Sequence, residues 1–373
     1  MNSERINNFT KIRALLDLEG IGVVRLLRLV DVFGSLNNVF SCDKESLIIE
    51  GKLSKVLSER VHQQIKTNNS AFQKYEQEIA IIEKLDGKIV TYWDKEYPQQ
   101  LKNIYYPPLI LYMLGTYEEN DIQAISIVGT RKCTDYGKSV TNYFSSKLAK
   151  QGITIISGLA RGVDSIAHRA AIKAGGRTIA IIGSGLDIIY PPENGKLFSE
   201  IIENGAIISE FPLGTKPDAQ NFPKRNRIIA GISIGTLVAE TKENGGAMQT
   251  AKFALDQNKE VFAIPGNITS EQSRGANILI QQNGAKLVGE PEDVLVELQL
   301  KLKPTIGKKT QKPKLDLSLF EEKIYETLNS TPKQIDKIAA DSKLSISDTL
   351  VNLLSLEFKG VVQQLPGKLF KII

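Results

Sequence analysis

Between residues 124 and 298 the chain alternates short apolar runs with longer segments of helical period. The runs are AISIVG (124–129), ITIISG (153–158), TIAIIG (178–183), AIISE (206–210), TLVAE (236–240), EVFAIPG (260–266) and AKLVG (285–289). Segments such as KSVTNYFSSKLAKQ and DSIAHRAAIKAG lie between them and repeat apolar positions at three and four residues. Strands apolar on both faces, separated by amphipathic helices, predict a mostly parallel sheet covered on both sides. Right-handed crossovers then bring every strand-to-helix loop to one edge of that sheet. The expected core is a Rossmann-like α/β domain over residues 69–300.

The flanks follow other periods. Residues 12–40 carry apolar residues at helical spacing on either side of Gly20-Ile21-Gly22. This predicts two short helices joined by a glycine hairpin, within a helix-hairpin-helix or SAM-like unit over 1–68. Such a hairpin either offers its amides to a DNA backbone or only packs. Helix continues over 52–85, and residues 97–115 read as an irregular, proline-punctuated bridge. Residues 301–315 read as a lysine-rich linker. Beyond it, 316–373 predicts helices near 319–329, 332–341 and 346–359, then a hairpin turning at Pro366-Gly367, which is a winged-helix pattern. Its recognition helix carries Asp348 and Glu357 against only Lys359. A duplex reader needs more cations there, so this unit is expected to dock a protein.

Composition narrows the classes. The chain has 373 residues, 42% hydrophobic and 24% charged, as expected of a multidomain soluble protein. No apolar run reaches the roughly 18–20 residues of a membrane span, and MNSERINNFTKIR lacks a signal-peptide core, so the expectation is a cytoplasmic protein with no membrane association. Two cysteines (Cys42, Cys133) and two histidines (His62, His168) lie far apart, which predicts reduced thiols and no metal site. The net charge is +5, but residues 301–314 hold six lysines and no acid; removing six charges from +5 leaves −1. Overall basicity therefore reports the linker, and the local pattern at 216–227 matters more.

In an open α/β sheet, ligands bind beyond the carboxyl ends of the strands. The first such loop, Val128-Gly129-Thr130-Arg131, has one glycine where a dinucleotide fingerprint needs three, and no ribose-gripping acid follows Ser157-Gly158. No nicotinamide, flavin or other cofactor is expected. The loop SGLARGVDSIAH supplies Ser157, Gly158, Arg161 and Gly162 at a helix start, and IPGNITSEQSRGAN supplies Arg274. Amides and cations there form anion pockets.

The densest signal is QNFPKRNRIIAG (220–231), with Lys224, Arg225, Asn226 and Arg227 in what reads as a first helical turn. Cations at a helix start oppose the macrodipole and gain most when an anion joins them. Phe211 and Phe222 flank the charges, and cations beside flat rings match the pattern of single-strand binding. The loop acids Asp164, Asp187, Glu210, Glu240 and Glu243 leave a hydrolytic reading open. ENGGAMQTAKFA is similar to the helix start of nucleotide phosphoribohydrolases, although Ala247-Met248-Gln249 departs from it.

VGTR (128–131), ISGLARGVDSIAHRAAI (156–172), TIAIIGSGLDIIYPPEN (178–194), ISEFPLGTKP (208–217), NFPKRNRIIAGIS (221–233) and VAETKENGGAMQTAKFALDQNKEVFAIPGNI (238–268) together resemble the DNA-processing protein A (DprA or Smf) family. The resemblance implies a non-enzymatic protein that binds single-stranded DNA without sequence preference, dimerises through the Rossmann-like domain and loads the RecA recombinase in natural transformation. It assigns DNA contacts to Arg131, Ser157, Gly158, Arg161, Lys224, Arg225 and Arg227, with Phe222 or Phe211 stacking a base. Residues 276–288 are the expected dimer face.

Overall fold

The computed structural model describes residues 3–66, 69–302, 317–328, 332–359, 361–365 and 369–372. They fall into two compact units, Met1–Leu302 and Lys303–Ile373.

The first unit opens with six helices: α1 (Ser3–Leu16), α2 (Val23–Phe33), α3 (Leu36–Ser41), α4 (Lys44–Ile49), α5 (Lys55–Lys66) and α6 (Asn69–Lys84). The glycine hairpin lies between α1 and α2. Gly20 has φ +97°, the left-handed region that favours glycine, and Ile21 turns into the core. Strands β1 (Gly87–Thr91) and β2 (Ile110–Gly115) follow. The alternating part is β3 (Ile125–Gly129), α7 (Asp135–Lys150), β4 (Ile155–Ser157), α8 (Val163–Lys173), β5 (Thr178–Ile182), α9 (Gly195–Glu203), β6 (Gly205–Ser209), α10 (Asn221–Ile232), β7 (Gly235–Glu240), α11 (Gly246–Asp256), β8 (Glu260–Ala263), α12 (Arg274–Gln281), β9 (Lys286–Leu287) and α13 (Pro291–Leu302).

One nine-stranded sheet results, in the order β1-β2-β6-β5-β4-β3-β7-β8-β9. All seven strands expected from the apolar runs are present and mutually parallel. Side chains alternate between two cores. In β5, Ile179 and Ile181 pack with Ile228 and Ala251 of α10 and α11, while Ala180 and Ile182 face the opposite core. Coverage on both faces explains why these strands are apolar throughout.

Strands β1 and β2 were not expected, and they correct the reading of 97–115 as wholly irregular. They extend the sheet antiparallel beyond β6. Tyr112 of β2 meets Phe9 of α1 edge to face at 6.2 Å. One hydrophobic cluster thus runs from Ile12 and Leu15 through Tyr112 to Ile207, which ties the helical N-terminus to the sheet.

The chain runs β3, β4, β5, β6 in one direction, then returns to place β7 against the other side of β3. This reversal is the topological switch point, where open α/β sheets take ligands.

The second unit contains α14 (Leu319–Thr327), β10 (Lys333–Gln334), α15 (Ile335–Ser342), α16 (Ile346–Phe358), β11 (Val362–Leu365) and β12 (Leu369–Ile372), with the strands ordered β10-β12-β11. Three helices backed by a small antiparallel sheet make a winged helix around Ile324, Ile338, Leu353 and Phe370. The turn expected at Pro366-Gly367 and the linker beyond Leu302 lie outside the described residues. Helix α16 presents Ile346, Leu350, Val351 and Leu354 to solvent.

Glu321 anchors this unit. Its carboxylate accepts from Ser318 N at 2.7 Å and Ser355 Oγ at 2.6 Å, and meets Lys359 Nζ at 2.7 Å. The Lys359 bond, followed by that of Ser355, lowers the carboxyl from 4.5 to about 2. A depressed carboxyl stabilises fully above its unfolded value, and that stability is lost as pH falls through the folded value. Glu321→Gln is therefore expected to destabilise the 303–373 unit by about 2 kcal/mol at pH 7. The gap to wild type should close between pH 4.5 and about 2. Thermal unfolding of both forms across that range checks this, and a gap that does not change with pH would contradict it.

Candidate nucleic-acid interface

At the switch point β3 ends in Gly129 and β7 in Glu240. A side chain at Gly129 would meet Glu240 O at 2.7 Å, so the close approach requires glycine. Thr130 N donates to Glu240 O at 2.7 Å and holds the two strand ends together. The Glu240 carboxylate accepts from Thr134 N at 2.9 Å and from Thr134 Oγ1 at 2.6 Å, at the start of α7. In the next loop Gly158 N and Ala160 N donate to Asp164 Oδ2 at 3.2 and 3.3 Å. A helix start is an anion seat. At the start of α7 the Glu240 carboxylate fills it, while Asp164 binds amides of the loop that precedes α8.

What stays open is a cleft of about 740 Å³ between the β3 loop, one side of α10 and the start of α11. Arg131, Phe222 and Asn226 line one part, and Lys242, Gly245 and Gly246 another. The α11 start has Gly245 as its cap, with no side chain bonded to its first amides. Arg131 is exposed, with its guanidinium carbon 5.2 Å from the centroid of the Phe222 ring. Tyr190 lies 5.8 Å from the same ring at an interplanar angle of 40°. A smaller hollow beside it brings Arg131 and Phe222 together with Arg161 and Gly158.

Helix α10 begins at Asn221, three residues earlier than the cations, so Lys224 closes its first turn and Arg225 and Arg227 fall in the second. At about 100° per residue this start divides the motif. Phe222, Arg225, Asn226 and Ile229 face the cleft, whereas Lys224 and Arg227 face away from it.

Several expected phosphate contacts are corrected by this geometry. Arg225 is 4% exposed, and its Nη1 donates to Gly158 O at 2.6 Å and to Ile181 O. Burial lowers its pKa from 12.5 to about 10 despite the pull of Asp164. Burial likewise raises the Asp164 carboxyl, and Arg225 opposes that rise. Arg225 thus braces the cleft from beneath. Arg227 is paired with Glu210, with both side chains largely out of water. Ser157 is fully buried, and its hydroxyl donates to Ile127 O at 2.6 Å. Gly158 contributes through its backbone, since its carbonyl anchors Arg225. Arg161 is exposed and paired with Glu193. Arg274 lies outside both hollows, with Nε 3.1 Å from Glu243. Phe211 lines the far side of α10, so of the two phenylalanines Phe222 is the one in the cleft.

Lys242, Gly245 and Gly246 were missed as site residues. Their signal was the glycine pair opening a helix after β7, the usual form of a phosphate-approach loop. His168 is fully buried, its Nδ1 2.7 Å from Thr178 Oγ1, and burial lowers it from 6.5 to about 3. It is a core residue held by Thr178.

The family model described as DNA recombination-mediator protein A matches residues 88–299, and that of the DprA winged helix domain matches 308–368. The chain belongs to this DNA recombination-mediator family. Protein Smf of Synechocystis sp. is 35% identical over 385 residues, covering 94% of this chain and 95% of its own. The crystal structure of DNA processing protein A from Streptococcus pneumoniae matches with TM-score 0.67 at 30% identity, over 80% of this chain and 99% of that one. A structure of the Helicobacter pylori protein, reported for its unique single-stranded DNA binding mode, matches with TM-score 0.52 at 30% identity, over 58% of this chain and 96% of that one. The family match includes the cleft: Arg131, Phe222 and Lys242 all fall within 88–299.

The buried and exposed arginines should part company on mutation. Removing one partner from a buried polar network costs about 3–5 kcal/mol. Arg225→Ala is expected to lose that much in chemical denaturation, whereas Arg131→Ala should stay within about 0.5 kcal/mol of wild type. Equal losses would show that Arg225 does not brace the fold.

Proposed function

We propose that the protein binds single-stranded DNA in the switch-point cleft and passes it to a RecA-type recombinase during uptake or recombination in the cytoplasm. The observation that carries this reading is the Arg131–Phe222 pair. It sets an exposed guanidinium beside a flat ring in a cleft where Glu240 already occupies the α7 start and the α11 start stays open. Such a site suits a phosphodiester with an unstacked base better than a nucleotide's pyrophosphate. Arg131, Phe222 and Asn226 are the proposed contacts on one side, Lys242 with the Gly245-Gly246 amides on another, and Arg161 at the margin.

Recruitment of the recombinase is supported by the family's role as a recombination mediator. A homodimer fits β9, a sheet edge that leaves Leu287 51% exposed within the 276–288 stretch. Two clefts on one strand would then gain avidity through effective concentration. No helix among the described residues is long and apolar enough to cross a membrane. A phosphoribohydrolase reading needs an available carboxylate. Asp164, the acid that lines the cleft, and Glu240 at the end of β7 are instead bonded to loop and helix-start donors.

Affinity for a labelled oligonucleotide should fall with salt at about 0.7 decades per decade for each phosphate neutralised. With two or three cations engaged, the slope should lie near −2. Arg131→Ala is expected to weaken all sequences by about tenfold and to flatten the slope by about 0.7. Anisotropy titrations over a salt series check both, and a sequence-selective loss would mean that the site reads bases.

A further inference from the structure

Helix α10 separates two hollows. On the side away from the cleft, Lys224 and Arg227 line a second groove of about 800 Å³ with Tyr105, Tyr106, Phe211 and Phe253. Pro223 borders both hollows, so they meet at the first turn of the helix.

Core packing does not account for the two tyrosines. Tyr105 is 75% exposed and Tyr106 is 46% exposed. Their centroids lie 4.2 Å apart, edge to face, and Tyr106 has φ +58°, a conformation that side chains rarely adopt. The rigid Pro107-Pro108 pair follows directly. A strained backbone that displays rings to solvent costs stability without burying surface, and strain of this kind gathers at binding sites.

The polar groups are equally incomplete. Arg227 holds Glu210, but Arg227 Nη1, Glu210 Oε1 and the nearby Gln257 Oε1 have no hydrogen-bond partner. Rings beside an unsatisfied donor and acceptors match a planar heterocycle with both kinds of group on its edge. A volume near 800 Å³ lies within the usual range for a small-ligand site.

We infer that this groove is a second base subsite, taking an unstacked nucleobase of the strand whose backbone crosses the switch-point cleft, with Lys224 on the phosphate at the ridge between them. The inference rests on the single-strand reading of the cleft. The base stacks on Tyr105 and turns its edge toward Glu210 and Arg227. Because every base has a flat face, the subsite tolerates any sequence.

The test is an anisotropy titration of the full chain with a labelled single-stranded oligonucleotide and with the same strand carrying abasic sites. Wild type, Tyr105→Ala, Tyr105→Phe and Arg131→Ala are compared. Tyr105→Ala should weaken the ordinary strand about tenfold, as loss of one base–ring stack does. It should leave the abasic strand unchanged, and Tyr105→Phe should bind as wild type. The exposure of Tyr105 makes loss of the fold an implausible cause. Unchanged binding by Tyr105→Ala beside weakened Arg131→Ala would overturn the subsite and leave the cleft reading standing. Indifference of Arg131→Ala as well would remove the cleft reading and the subsite with it. Equal losses on ordinary and abasic strands would overturn the subsite, because the ring would then be acting on the backbone. Unchanged DNA affinity with an altered sedimenting mass would assign the groove to a second copy of the chain, and so overturn the subsite too.

Discussion

The Arg225 guanidinium, almost wholly out of water beneath α10, is the interaction on which the site depends. It spans the carbonyls of Gly158, just beyond the end of β4, and Ile181, the penultimate residue of β5, and so fixes α10 against two adjacent strands. Taking a guanidinium out of water is costly, and only dense hydrogen bonding with a nearby opposite charge offsets it. Two carbonyls and Asp164 supply this. The requirement reaches back into the sequence, because a side chain at Gly158 would collide with the guanidinium. Once this arginine is seated, the rotation of α10 is set. Phe222 and Asn226 then face the switch point, and Lys224 faces the opposite side.

Much of the fold was legible because its determinants are periodic. Seven apolar runs alternating with amphipathic helices left little room for another architecture, and a strand appears where each run predicted it. Strand β2 was hidden because its six residues follow Pro107-Pro108 in a stretch whose punctuation reads as a loop. Strand β1 is five residues long and half polar at its start. These two strands fix the helical N-terminus to the sheet, a relation that depends on contacts such as Phe9 with Tyr112, far apart in sequence.

The site was legible in its elements and less so in their division of labour. Gly129 and Arg131 announced themselves as a tight strand exit followed by a cation. The KRNR stretch announced its charge, but charge alone does not distinguish an exposed guanidinium from a buried one. Arg225 went to the core and Arg227 to Glu210, and the starting point of α10 decided both. Lys242 and the Gly245-Gly246 pair went unclaimed because one lysine and two glycines acquire meaning only when β7 lies beside β3.

The carboxylate of Glu240 at the start of α7 bears on competition within the cell. A cleft in a Rossmann-like sheet lies amid a dense pool of small nucleotides, all carrying terminal phosphates suited to a bare helix start. At the start of α7 that berth is taken by an internal anion, whereas the Gly245-Gly246 start of α11 stays open. On the proposed single-strand reading, the protein's own glutamate leaves the α11 start, beside Arg131 in the same cleft, as the helix start open to a strand's phosphate.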